Sequence, residues 1–145
     1  MIPAGVAVRA NSPALTETIS HRGTVVCMIV RAERAPDVTT FYTPHHYDLQ
    51  VGKIVYSAGT VIPRHLHRPV VRHVVGTAEV LIVQKGRMIL DLYDHDRALM
   101  CSRDLGSGDV VVLLGAGHGF RLLEDTVLLE VKQGPYFELQ DKELF

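Results

Sequence analysis

The sequence predicts an all-β fold, built as a single antiparallel β-barrel or double sheet. Short runs of β-branched and aliphatic residues recur at intervals of roughly 8–12 residues, with turn-forming residues between them. Stretches with helical periodicity are scarce. The chain has 145 residues, of which 47% are hydrophobic. This length is typical of one domain, so we expect a single core.

The strand-like segments follow one another along most of the chain. Residues 1–22 are weakly patterned and predict an N-terminal arm, whereas residues 23–145 are predicted to form the barrel. Residues 25–30 form a continuous apolar run, which is typical of a strand covered on both faces. Residues 79–83 and 87–93 flank Gln84-Lys85-Gly86 and together predict a hairpin. Further strands are predicted at residues 54–56, 61–62, 99–105, 110–114, 120–123 and 127–131.

The composition excludes several classes of function. The 15 Lys and Arg residues nearly balance 16 Asp and Glu residues, which argues against a protein that binds nucleic acid or an anionic membrane. The sequence shows neither the pattern of a secretory signal nor an apolar run approaching the ~20 residues of a spanning helix. We therefore expect a cytoplasmic protein, with Cys27 buried as a small apolar side chain and Cys101 partly exposed.

Histidine is the one unusual feature, with eight residues in a chain that has no Trp. On a strand, His65 and His67 point to the same face, where two neutral imidazoles suit a shared metal ion. Glu79 begins an apolar strand in phase with Leu81 and Val83. Because an unpaired buried carboxylate is costly, we expect a cation beside it.

His118 completes the candidate set of metal ligands. It lies in the segment Gly115-Ala116-Gly117-His118-Gly119, where glycines allow a tight turn that presents one side chain. Three imidazoles and one carboxylate suit Mn, Fe, Co, Ni, Cu or Zn and leave positions open for water or substrate. Taken singly, each residue has another explanation: His65 and His67 as an exposed pair on a basic edge, and His118 as a loop residue.

Two groups of residues resemble the motifs of the cupin superfamily. Gly59, His65, His67, Glu79 and Gly86 match the first motif, and Gly108, Asp109 and His118 match the second. The chain is also similar to small single-domain bacterial cupins of unassigned function. The resemblance implies a jelly-roll barrel that holds one divalent first-row transition metal through His65, His67, Glu79 and His118. The gap between His67 and Glu79 is longer than the family's usual gap, which makes His73 the alternative to Glu79.

Five further residues are candidates for contact with substrate. Arg64 and Arg72 flank the histidines; we favour solvated charges, the alternative being recognition of a carboxylate or phosphate. Glu130 and Lys132 share one face of the last strand and are placed at the barrel mouth, to position a substrate or act as acid and base. A surface ion pair is the alternative. Tyr136 either caps the barrel or closes the fold.

Two functions are consistent with these residues. The first is a metal-dependent enzyme of dioxygenase or isomerase/epimerase type that acts on a small oxygenated molecule, with the metal and Glu79 as the catalytic groups. The second is a non-catalytic cupin that binds a small sugar or carboxylate, since one fold hosts many chemistries. We also expect a homodimer in which the arm and the strand at 25–30 pair across a two-fold axis.

Overall fold

The computed structural model describes residues 8–10 and 15–145 and divides the chain into two compact units. The first unit is Met1–Leu15 with Ala35–Val75, and the second is Thr16–Arg34 with Gly76–Phe145. The predicted arm over residues 1–22 therefore lies partly outside the described residues. The strands are β1 (Val8–Ala10), β2 (Glu17–His21), β3 (Thr24–Val30), β4 (Thr39–Phe41), β5 (Gly52–Lys53), β6 (Glu79–Lys85), β7 (Arg87–Tyr93), β8 (Leu99–Gly106), β9 (Val110–Leu113), β10 (Gly117–Leu122) and β11 (Val127–Lys132).

The predicted all-β class is confirmed. Apart from these strands, the regular structure of the described residues is one short 3-10 turn at Glu138–Gln140. No helix within the described ranges is long and apolar enough to cross a membrane.

The first unit contains a small sheet with the order β1-β4-β5. β1 and β4 are parallel, whereas β4 and β5 are antiparallel. After β5 the chain carries no strand from Ile54 to Ala78, a stretch that the structure describes completely. The strands predicted at residues 54–56 and 61–62 are therefore wrong, and so is the strand geometry expected for His65 and His67. A strand needs backbone donors, and Pro63 and Pro69 provide none.

The second unit consists of two antiparallel sheets whose apolar faces pack together. The five-stranded sheet has the order β11-β6-β9-β3-β2, and the three-stranded sheet has the order β10-β7-β8. Side chains from both sheets form one core, which includes Ile19, Val26, Cys27, Ile29, Leu81, Val83, Met88, Leu90, Leu92, Leu105, Val111 and Leu113. Alternation along each strand places these residues on the inner faces.

β3 is a central strand of the five-stranded sheet. Five consecutive residues, Val26 to Val30, are buried, as the continuous apolar run predicts. The backbone of β3 pairs with β2 on one side and with β9 on the other. The idea that this strand pairs with a second copy is therefore wrong, because its hydrogen-bonding edges are already occupied. At this side of the sheet, β2 is the edge strand.

The hairpin predicted for residues 79–93 is wrong, because its two strands belong to different sheets. β6 pairs with β11 and β9, whereas β7 pairs with β10 and β8. Gly86 alone connects them, with a φ of +91°, and it lies against Asp125 and Thr126. The chain crosses from one sheet to the other at Gly86, which lets both strands direct apolar residues into the same core.

The turn before β9 is held by the carboxylate of Asp109. Asp109 accepts hydrogen bonds from the backbone amides of Ala32 (2.9 Å) and Gly106 (3.0 Å), and from Nη1 of Arg31 (3.0 Å). The side chain is buried. A buried carboxylate with several donors fixes the backbone around it, so Asp109 links the end of β3 to the turn between β8 and β9.

The outer face of the three-stranded sheet is cross-linked by Asp91 of β7. Its carboxylate accepts two hydrogen bonds from Arg121 of β10, at 2.7 and 2.9 Å, and one from Ser102 of β8, at 2.5 Å. The hydrogen bonds from Arg121, and to a lesser extent the hydrogen bond from Ser102, lower the pKa of Asp91 from 3.8 to about 2. One carboxylate thereby joins all three strands of the sheet that carries His118.

We expect Gly86→Ala to lower the free energy of unfolding by about 2–4 kcal/mol, because it combines a left-handed backbone with a steric clash. A Cβ at this position would lie 2.5 Å from the carbonyl oxygen of Asp125. Urea denaturation measures the effect. Gly106→Ala is the matched control, since a Cβ there meets no atom within 4 Å. Equal losses for the two variants would contradict this account of Gly86.

We expect the stability difference between the wild type and Asp91→Asn to depend on pH. Because folding lowers the pKa of Asp91 from 3.8 to about 2, its contribution is complete above pH 3.8 and is lost as the pH falls towards 2. Denaturation curves across this range test the expectation. In an Arg121→Met background, which removes the main cause of the shift, the pH dependence should shrink. An unchanged dependence there would show that Arg121 is not the cause.

Candidate functional site

Glu79 is a buried carboxylate at the end of the apolar interior. It begins β6 and is only 8% exposed, and the next residues on its face, Leu81 and Val83, belong to the core. The predicted phase of this strand is therefore confirmed. Its side-chain partner within the described residues is His118, whose Nε2 lies 3.2 Å from Oε2 of Glu79. A carboxylate oxygen and an imidazole nitrogen thus converge at the end of the core.

His118 lies on a strand rather than in the predicted tight turn. β10 begins at Gly117, and His118 is paired with Leu92 of β7. Since the side chain of Leu92 belongs to the core, the paired imidazole also lies on the inner face. Gly117 is required for a different reason from the predicted one: a Cβ there would lie 3.0 Å from Cζ of Phe145.

Lys132 and Glu130 extend this group of polar side chains along β11. Lys132 is the pairing partner of Glu79, and Glu130 is the pairing partner of Leu81, so both lie on the inner face of β11. The prediction that the two share one face is confirmed. Nζ of Lys132 lies 3.7 Å from Oε2 of Glu130. It also lies 5.2 Å from the ring centroid of Tyr136, within the range of a cation–π contact.

We call Glu79, His118, Glu130, Lys132 and Tyr136 the Glu79 cluster. The second unit contains all five residues. Glu79 is buried, the side chains of His118 and Lys132 are about one-quarter exposed, and Glu130 and Tyr136 are exposed. The cluster therefore runs from a buried carboxylate to a solvent-facing rim.

The backbone beside the cluster is fixed by Gln133. Its Oε1 accepts a hydrogen bond of 2.6 Å from the backbone amide of Ala78. This contact ties the residue before β6 to the residue after β11. It therefore holds Glu79 and Lys132, which are the neighbouring strand ends, in a fixed register.

His65 and His67 lie in the first unit. Their ring centroids are 5.4 Å apart with the rings nearly perpendicular, and both side chains are exposed. Nδ1 of His65 is 2.9 Å from the carbonyl oxygen of Pro63. The predicted ligands thus fall into two pairs, one in each unit. In neither unit, taken alone, do the described residues contain three or more His, Cys, Asp or Glu side chains grouped for a metal ion.

The remaining predicted residues of the first unit are exposed. His73, the alternative ligand, is exposed, as are Arg64 and Arg72. Arg72 has a local contact of 3.4 Å from Nη1 to the carbonyl oxygen of Val70. This exposure is what solvated charges would show.

The two cysteines face the same interior as the Glu79 cluster. In the five-stranded sheet, Glu79 and Cys27 pair with the same residue of β9, from opposite sides. In the three-stranded sheet, His118 and Cys101 pair with the same residue of β7, also from opposite sides. Burial raises the pKa of the Cys27 thiol to about 12, whereas Cys101 is partly exposed. The predicted exposures are confirmed. Cys101 was absent from the predicted site; it is separated from His118 by the intervening strand β7, and this placement depends on strand pairing rather than on local sequence.

The chain has no significant match among protein-family models, among curated proteins or among solved structures.

We expect native protein at mildly alkaline pH to react with a thiol reagent at one cysteine per chain, and unfolded protein at both. Cys27 is buried and keeps its proton because of its raised pKa, whereas Cys101 is accessible. Absorbance of the released chromophore measures the number of reacting thiols. Cys101→Ser should abolish the native reaction, and Cys27→Ser should preserve it. Rapid native labelling of Cys27 would contradict its burial.

Proposed function

We propose that the protein is a cupin-like, metal-dependent enzyme that acts on a small oxygenated molecule through the Glu79 cluster. The observation that carries the proposal is the approach of Oε2 of Glu79 to Nε2 of His118, 3.2 Å apart at the end of an apolar interior. Sequence spacing adds His65 and His67 as predicted ligands.

The chemistry of the second-unit pair fits a divalent first-row transition metal. Such ions favour imidazole nitrogen and carboxylate oxygen as donors. Glu79 has no cationic side chain within 4 Å among the described residues other than the ionisable ring of His118, so its buried negative charge is not balanced by Lys or Arg. A bound cation would offset the cost of burying this charge. The burial of Glu79 also favours it over the exposed His73.

The order in which strands change sheets supports a jelly-roll assignment. From β6 onwards the chain visits the five-stranded sheet, then the three-stranded sheet twice, and afterwards alternates between them through β11. Repeated crossing between two antiparallel sheets is typical of double-sheet jelly rolls. The proposal therefore includes this finer description of the fold.

The residues of the cluster would divide the work. Glu79 and His118 would hold the metal, which when bound polarises a substrate oxygen. Lys132 would orient the substrate through its ammonium group. Glu130 is more exposed than Glu79, and its carboxylate would take or return a proton at the rim. Tyr136 would shield one side of Lys132 from water.

Metal analysis of protein purified without chelators tests the proposal. We expect ~1 first-row transition metal per chain. Glu79→Gln and His118→Ala should each weaken metal binding by more than the roughly 10–100-fold that loss of an outer-shell partner costs. The identity of the metal then separates redox chemistry (Fe, Mn, Ni or Cu) from Lewis-acid chemistry.

The control for this experiment is His95→Ala, which removes an exposed imidazole of the same unit. It should keep the metal content of the wild type. His65→Ala and His67→Ala test the two ligands that sequence spacing adds to Glu79 and His118. Wild-type protein that is metal-free, and whose stability EDTA leaves unchanged, would contradict the proposal. Metal binding without turnover of any substrate would favour the binding-protein alternative.

A further inference from the structure

The ammonium group of Lys132 has hydrogen-bond donors that its neighbouring side chains do not use. Its side chain is only 22% exposed. Among the described residues its polar partner is Glu130, at 3.7 Å, which is beyond hydrogen-bond distance. The ring of Tyr136 contributes a cation–π contact and no acceptor lone pair. An ammonium group has three donors, so Lys132 keeps donors available for an incoming acceptor.

The neighbouring carboxylates do not supply the missing acceptor. Glu79 is next to Lys132 in the strand register, yet within the described part of the chain its side-chain partner is His118. Glu130 is the more exposed member of its pair, with a side chain that is 41% exposed. An acceptor that enters from the rim can therefore reach Lys132 without displacing the buried carboxylate.

The charges around Lys132 limit what this acceptor can be. The cluster has two carboxylates, Glu79 and Glu130, and one ammonium group. Both carboxylates lie beside the ammonium group, so each opposes a negatively charged ligand at Lys132. A ligand with a single negative charge is repelled less than a phosphate monoester, which carries about two.

We infer that Lys132 is the anchor for a small monocarboxylate substrate, with Tyr136 covering the same ammonium group. The inference rests on the proposed function, because the rest of the bound substrate would then extend towards Glu79 and His118. An oxygen adjacent to the carboxylate, as in a 2-hydroxy acid, then lies nearest to the proposed metal ligands. Ammonium–carboxylate contacts are charge-assisted and are stronger than neutral hydrogen bonds.

Calorimetric titration with L-lactate and with lactamide tests the anchor, because the two molecules differ in charge and hardly in size. The wild type should bind lactate saturably and at least about 10-fold more tightly than lactamide. Lys132→Met should weaken lactate binding about 10–100-fold and leave lactamide binding unchanged. Lys132→Arg should restore most of the lactate affinity.

Lys85→Met is the matched control, since it removes an exposed lysine at the other end of β6. It should bind lactate as the wild type does. The inference is overturned if the wild type shows no saturable lactate binding, if Lys132→Met keeps full affinity, if lactamide binds as tightly as lactate, or if inorganic phosphate binds more tightly. A loss of both ligands in Lys132→Met, not rescued by Lys132→Arg, would indicate a purely structural role and would also overturn it.

Metal content measured on the same samples separates this inference from the proposed function. If metal-loaded wild type and metal-loaded Lys132→Met bind lactate equally tightly, the anchor is overturned and the metal site is unaffected. Metal-free protein that still binds lactate through Lys132 supports the anchor while the proposed metal function fails.

Discussion

The packing between the two sheets of the second unit determines where Glu79 lies. β6 needs Leu81 and Val83 in the shared core, and strand alternation then directs Glu79 to the same face. Turning the carboxylate outwards would move both apolar side chains out of the core, at a cost of about 3–6 kcal/mol in transfer free energy. The core therefore keeps a carboxylate in an apolar setting. The same alternation on β10 and β11 brings His118 and Lys132 to it.

The features of the fold that depend only on neighbouring residues in the sequence could be predicted. The order of apolar residues in the sequence predicts the continuous burial of β3 and the alternation of inward and outward side chains along β6 and β11, because each strand must present a face to the core. The choice of pairing partner is not local. Gly86 looks like the turn of a hairpin, but the strands on either side of it pair with distant segments of different sheets. Only the packing of both strands on one core decides between these arrangements.

The candidate site shows the same division between local and non-local information. The phase of the strands placed Glu79, Glu130 and Lys132 on inner faces, because period-two alternation needs no knowledge of the partner strand. The contact between Glu79 and His118 depends on how two separate sheets face each other. The turn predicted for His118 relied on its flanking glycines, one of which instead makes room for the ring of Phe145.

The charges of the Glu79 cluster link its two proposed ligands. Glu79 is held where its negative charge is poorly solvated, and this charge opposes an anion at the adjacent Lys132. A cation at Glu79 and His118 would remove that opposition, and an anion at Lys132 would in turn favour the cation. By thermodynamic linkage each ligand then strengthens the other by the same factor. The core that buries Glu79 at a cost in stability therefore also couples the proposed metal to the proposed substrate.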